Sequence, residues 1–221
     1  MILRRVTQHV KDQNWFAVGI DFFIVVVGVF IGIQVANWNE TRANAAKEKV
    51  ILASILEDIE DDIRGLNSAL ESAILGTQAT NELLIAGGLK PLTELKNPVS
   101  NAILMQTDTL TSELPETTPE QIWTAITVRY YPGHSDAAFT GLMSAGDLSI
   151  ISNPELANSL QRYGAVWDGV ETTQVTTIRP KRDRLVFVGQ EFGLSPYKEV
   201  GKDELAALIA QNPEFEGAVR A

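Results

Sequence analysis

The sequence predicts an all-α protein in which one N-terminal transmembrane helix continues into a long helix that packs in an extramembrane helical bundle. Three observations carry this. Phe22 to Ile33 contains no polar side chain. Leu52, Leu56, Ile59, Ile63, Leu66, Leu70 and Ala73 then form an apolar stripe spaced alternately four and three residues apart, with no Pro to interrupt it. Leu156, Leu160, Tyr163, Trp167 and Val170 repeat that spacing, and matching periods are what packed bundle helices have. The chain divides accordingly into a short basic leader over 1–15, a span over 16–38 and a helical extramembrane domain over 39–221.

The span is argued from length and solvent. Phe16 to Trp38, about 23 residues, rises about 34 Å as a helix, against a hydrocarbon layer of about 30 Å. Its strongly apolar residues each favour insertion by about 0.3 to 0.6 kcal/mol and together outweigh Asp21. Asp21 lies about 7 Å along the axis from Phe16, where a charge costs well below the roughly 3 kcal/mol of the midplane. The β-branched run suits a strand as well, but lipid offers no partner to a strand edge, so a lone spanning segment is helical. Trp15 and Trp38 are expected at the two interfaces as aromatic anchors. A cleaved signal peptide or a buried soluble helix is the rival reading. A small-x-small cleavage site is missing, because Gln34 stands two residues before Ala36 and bulky Trp38 follows. Arg4, Arg5 and Lys11 on one flank balance Arg42, Lys47 and Lys49 on the other, so charge counting does not orient the span. A short basic leader ordinarily stays in the cytosol, which places the C-terminal domain outside it.

Asp21, Gly28 and Gly32 fall within about 20° of one direction on the helix. Gly28 and Gly32 form a GxxxG pair, which lets another backbone approach where water is absent; the plainer reading is that Gly is common in membrane helices. Asp21 either reaches the headgroup layer or pairs within the membrane, and its shallow depth favours the first.

Asp21, the apolar run through Gly28 and Gly32, Gln34, then Asn37, Trp38, Asn39, Glu40 and Arg42 resemble the start of an uncharacterised family of bacterial single-span membrane proteins. The likeness covers about 30 residues closely. It is looser afterwards, where Phe139 to Tyr163 is similar to a second family pattern of short helix, Gly, Leu, Asn and helix. Within the first stretch, Ala36 stands where the family has Asn. The resemblance implies a bacterial inner membrane and a mostly helical extramembrane part. It implies no reaction, ligand or cofactor.

After the span the stripe on Leu52 to Ala73 is widened by Ile51 and Ile55, which suits a bundle first and a self-pairing coiled coil second. Glu57, Asp58, Glu60, Asp61 and Asp62 lie between the stripe positions and are expected to form a solvated face rather than a Ca²⁺ or Mg²⁺ site, since no Gly-containing ligand loop accompanies them. Gly87, Gly88 and Pro91 end the helix, a second helix is expected from Pro98 to about Leu110, and Thr109 to Pro119 is expected as loop. Thr118, Pro119 and Gln121 have the chemistry of a capping box ahead of Ile122, Trp123 and Ile126, with Tyr131, Pro132 and Gly133 closing that helix. Ser135 opens a short helix ending at Gly146, Asn153 starts another, and Arg179-Pro180 ends it. Leu185 to Val188 is expected as a small extended piece, and Asp203 to Ala210 as a final amphipathic helix.

The formal net charge of −10 argues against nucleic acid as a partner. Arg179, Lys181, Arg182 and Arg184 are a local exception that reads first as a solvated turn, interrupted by Asp183, and second as a site for lipid headgroups. With no Cys and only His9 and His134, the supply of catalytic and metal-ligating groups is thin. No catalytic residue, cofactor or metal is therefore expected, and His134, the one candidate base, reads as an exposed or capping residue of a turn. The expected role is a non-enzymatic, membrane-anchored module that assembles through its span, with itself or as accessory subunit of a membrane complex. The alternative is a ligand-sensing bundle outside the cytosol, with Trp123, Tyr130, Tyr131 and Trp167 as pocket aromatics, although such spacing more often marks a core.

Overall fold

A single helix, α1 (Trp15–Ala86), runs for 72 residues, about 108 Å at the usual rise. The computed structural model describes residues 15–96, 102–107, 117–144 and 147–221. The basic leader through Asn14, the side chain of Trp15, most of the loop expected over Thr109 to Pro119, and Gly146 lie outside the described residues. From Val18 onward α1 is long and apolar enough to cross a membrane. Between Phe16 and Lys47 every described side chain except Val27 is exposed, so no other described residue covers this part. The helix stops where the expected glycines stand. Gly88 takes φ 73°, and Leu89 N–H donates to Leu84 O at 2.8 Å, wrapping the last carbonyls.

Beyond α1 the regular structure among the described residues is helical apart from one hairpin. β1 (Glu94–Lys96) pairs antiparallel with β2 (Ile103–Gln106), Glu94 opposite Gln106 and Lys96 opposite Ile103. This replaces the helix expected from Pro98 to Leu110. The hairpin is tied back to α1 by Asn81, whose side chain accepts from Leu92 N and donates to Leu92 O. There follow α2 (Ile122–Thr127), α3 (Ala137–Ser144), a 3₁₀ turn over Asp147–Ile150 and α4 (Pro154–Thr173). Asn153 caps α4 as its type predicts, accepting from Glu155 N and Leu156 N. Thr118 does not cap α2. It forms a turn with Gln121 instead, and α2 closes at Thr127, four residues before the expected Tyr131.

Arg179-Pro180 does not end the helix. α4 passes through a wide π turn, Gln174–Ile178, directly into α5 (Arg179–Glu191). Pro180 sits in the first turn of α5, where its missing N–H costs least. Leu185, Val188 and Gly189 are buried on one helical face of α5, which corrects the extended piece expected there. α6 (Lys202–Gln211) is followed by a further helix, α7 (Pro213–Arg220), so the one expected as final is not.

Two apolar cores clothe the second half of α1. The distal core joins Leu83 and Leu84 to Trp123, Val188, Ile209 and Phe215, from α1, α2, α5, α6 and α7. Gly189 is required there, since a Cβ would meet Trp123 Cζ2 at 2.6 Å. The smaller proximal core packs Ile55 against Leu142, Ile151 and Leu160. The face of α1 that does this is rotated from the expected stripe. Leu52 and Ile59 are half-buried, but Leu56, Ile63 and Leu70 stay 57%, 52% and 53% exposed. The seam is the column one residue earlier, Ile55, Asp62, Ala69, Gly76 and Leu83, about 100° around the axis. Its small residues let neighbours come close.

Candidate functional site

Between the two cores the extended segment 128–136 lies antiparallel along α1, held by polar groups rather than by a helix or sheet of its own. Pro132 and Gly133 prevent a helix here, so the backbone must find partners elsewhere. Tyr130 N donates to Ser72 Oγ at 3.1 Å, Arg129 Nη1 to Ser72 O at 3.1 Å, and Ser135 N to Asp62 Oδ1 at 2.6 Å. Gln174, buried in the π turn, donates from Nε2 to Pro132 O at 3.1 Å. The widened turn thus puts an amide where a segment without regular structure needs one.

Asp62 is the centre of this arrangement and is only 1% exposed. Its Oδ2 lies 2.7 Å from His134 Nδ1 and accepts the Tyr163 hydroxyl at 2.6 Å. Trp167 stacks on the imidazole, with ring centroids 4.9 Å apart and an interplanar angle of 9°. Burial, and then the hydrogen bond to the Asp62 carboxylate, push the Tyr163 phenol up to about 12. Two further acids of α1 act in the same way. Asp58 accepts from Ala138 N at 3.1 Å at the start of α3, and Glu48 from Ser152 N at 2.7 Å. The acidic run is therefore not a simple solvated face, because Asp58 and Asp62 point inward and anchor the chain that crosses α1. His134 is likewise neither exposed nor a mere cap.

His134 Nε2 is buried without a hydrogen-bond partner and borders a cleft of about 330 Å³ that includes Asp136, Asp168, Glu171 and Arg179. An Asp–His pair activates a side-chain nucleophile only when a hydroxyl or thiol sits on the second nitrogen. Among the described residues none does so. Among the described residues no group of three or more His, Cys, Asp or Glu is placed to hold a metal ion.

A larger cleft of about 850 Å³ opens on the other side of the segment, between α1, α4, the π turn, α5 and α7. Tyr130 and Tyr131 line it, and Trp167 borders the smaller cleft, whereas Trp123 is fully buried core, donating from Nε1 to Ser195 O at 2.8 Å. The basic cluster is helical rather than a turn, with Arg179, Lys181 and Arg184 exposed as expected and Arg182 half-buried. Arg179 lies over the Tyr131 ring at 5.1 Å, and Arg182 Nε donates to Thr127 O at 2.9 Å. Burial holds the Arg129 guanidinium below its ordinary range, and raises the Tyr131 phenol against the pull of nearby Arg182.

Asp21, Gly28, Gly32 and Trp38 all lie on the uncovered part of α1, and a Cβ at Gly28 or Gly32 would meet nothing within 4 Å. Asp62, Arg129 and Gln174 are the site residues that sequence reasoning missed. The column Ile55, Asp62, Ala69, Gly76, Leu83 was the available signal for Asp62, an acid in register with apolar and small residues. Residues 21–85 match a family of unknown function (DUF6090). No curated protein and no solved structure matches the chain. The matched region takes in most of the apolar stretch of α1 and the α1 side of the site, including Asp62, but not His134 or Tyr163; over that region the chain is similar to an uncharacterised family.

Proposed function

We propose that the chain is a single-span, membrane-anchored, non-enzymatic helical module of the bacterial inner membrane, with its N-terminus in the cytosol and its head in the periplasm. It assembles side by side through the face carrying Asp21, Gly28 and Gly32, with a second copy or as the accessory subunit of a membrane complex. The bareness of α1 carries this reading: an apolar helix with two glycines one turn apart has no partner among the described residues. The exposed column Leu56, Ile63 and Leu70 supports it. These residues stand whole heptads beyond Gly28, so a supercoiled pairing would engage both. Arg42 and Lys49 occupy the same column, and parallel self-pairing would set like charges across it, which favours a partner helix bearing acids there. The non-enzymatic reading is supported by Asp62, whose two carboxylate oxygens are already engaged by His134, Ser135 and Tyr163 in holding the segment to α1. Purification in mild detergent tests assembly. A Gly28→Ile plus Gly32→Ile variant is expected to lose the larger species, and an unchanged size contradicts the packing face.

A second reading, a ligand-sensing head, is favoured by the cleft that Tyr130 and Tyr131 line.

A further inference from the structure

We infer that the larger cleft binds an amphipathic anion, a carboxylate or phosphate head held by Arg129, Arg182 and the Tyr131 hydroxyl with an aliphatic chain laid along Ala73, Val166 and Val170. This rests on the ligand-sensing reading and gives its ligand a chemistry. The cleft, about 850 Å³, has the size of a site for a small organic molecule. Among the described residues Lys96, Arg129, Lys181 and Arg182 line it and no Asp or Glu does, in a chain whose net charge is −10. The cations are not equally occupied. Lys96 lies 3.3 Å from Glu94, Arg182 is bonded to Asp183, and Lys181 donates to Ala221 O. Arg129 has no carboxylate partner among the described residues; Nη1 donates to Ser72 O and Ala125 O only. Arg129 is half-buried, and a partly desolvated cation without a counter-charge favours a ligand that supplies one.

Two more observations point to the same place. The Tyr131 hydroxyl is buried with no hydrogen-bond partner, a demand that an anion's oxygen would meet. Gly76 on α1 leaves the space that the Arg129 guanidinium fills, since a Cβ there would overlap it. Apolar side chains supply most of the remaining wall, and Val166 is 65% exposed at this cleft. Position decides the source of the ligand. Ala69 lies about 46 Å beyond Trp38 along α1, too far for a lipid that keeps its tails in the bilayer. The ligand therefore arrives through water, as a free medium-chain amphiphile.

Equilibrium dialysis of radiolabelled octanoate and decanoate against the full chain in phosphatidylcholine nanodiscs, with empty discs as background, tests this. Saturable binding is expected, about fifteen-fold tighter for decanoate at about four-fold per methylene. Decyl phosphate is expected to compete, whereas inorganic phosphate and decyltrimethylammonium are not. Arg129→Gln is expected to weaken decanoate binding at least ten-fold. Gly169→Leu should do the same without disturbing the fold, because a Cβ at Gly169 meets nothing within 4 Å and the residue lines the cleft. Absence of saturable binding, or wild-type affinity in Gly169→Leu, overturns the site. Competition by inorganic phosphate as strong as by decyl phosphate overturns the aliphatic half. Binding of decyltrimethylammonium in place of decanoate overturns the anionic ligand while leaving a ligand-sensing head.

Discussion

The two halves of α1 are one uninterrupted helix in two opposite situations. Up to Lys47 its described side chains, largely apolar over the N-terminal stretch, face outward, all but Val27 exposed, whereas from Glu48 to Ala86 one face is covered chiefly by α2, α3, the 3₁₀ turn and α6. Helical propensity does not separate them. What separates them is which column carries apolar and small residues that the rest of the chain can reach. A helix that is apolar all round belongs among acyl chains, and one with a single inward column belongs against a protein core. The halves should therefore respond independently to mutation.

The largest effect is expected from the distal core. Trp123→Ala should cost about 3 to 5 kcal/mol of head stability in denaturant titrations, because a fully buried indole is removed and its space does not collapse completely. Asp62→Ala is next, at about 3 kcal/mol, since it strands the Ser135 amide, the Tyr163 hydroxyl and His134 in a buried place. If either variant also released the chain from membranes, the independence of the two halves would be refuted.

Alkali should sharpen the same boundary. The Tyr163 phenol is raised in the folded state to about 12, so its contribution to stability is fully present below the ordinary tyrosine value near 10 and is lost as pH rises through about 12. Unfolding midpoints measured from pH 9 upward should fall in the parent, and less steeply in Tyr163→Phe. Equal slopes would remove Tyr163 from the account. The smallest stability effect is predicted for Ile63→Ser with Leu70→Ser, within about 0.5 kcal/mol of the parent, because both residues are already exposed. A loss beyond about 1.5 kcal/mol would mean that this column packs against the head after all.

Local chemistry was legible in the sequence and distant partnership was not. The break at Gly88, the Asn153 cap and an apolar helix long enough to cross a membrane each depend on neighbours within a turn or two, and each was found where its residues stand. The hairpin was missed because strands of three and four residues carry too little alternation to outweigh a helical reading. Pro180 misled because a proline marks a helix start as well as an end, and the π turn before it gives no signal of its own. The heptad on Leu56, Ile63 and Leu70 has the correct period but the wrong face. Period alone cannot say whether an apolar column meets its own chain or something else. Asp62 and His134 are 72 residues apart, and their bond arises only once the segment 128–136 lies along α1.

The central claim is that one continuous helix leaves a membrane and enters a protein core. Since the chain contains no Cys, single cysteines can carry nitroxide labels at Val26, Leu66 and Ala79 without competition. Power-saturation measurements on the reconstituted chain should find the label at Val26 relaxed by oxygen and shielded from a water-soluble nickel chelate. The label at Leu66 should be relaxed by the chelate, and the one at Ala79 shielded from both. Strong relaxation of the Val26 label by the nickel chelate would contradict the account.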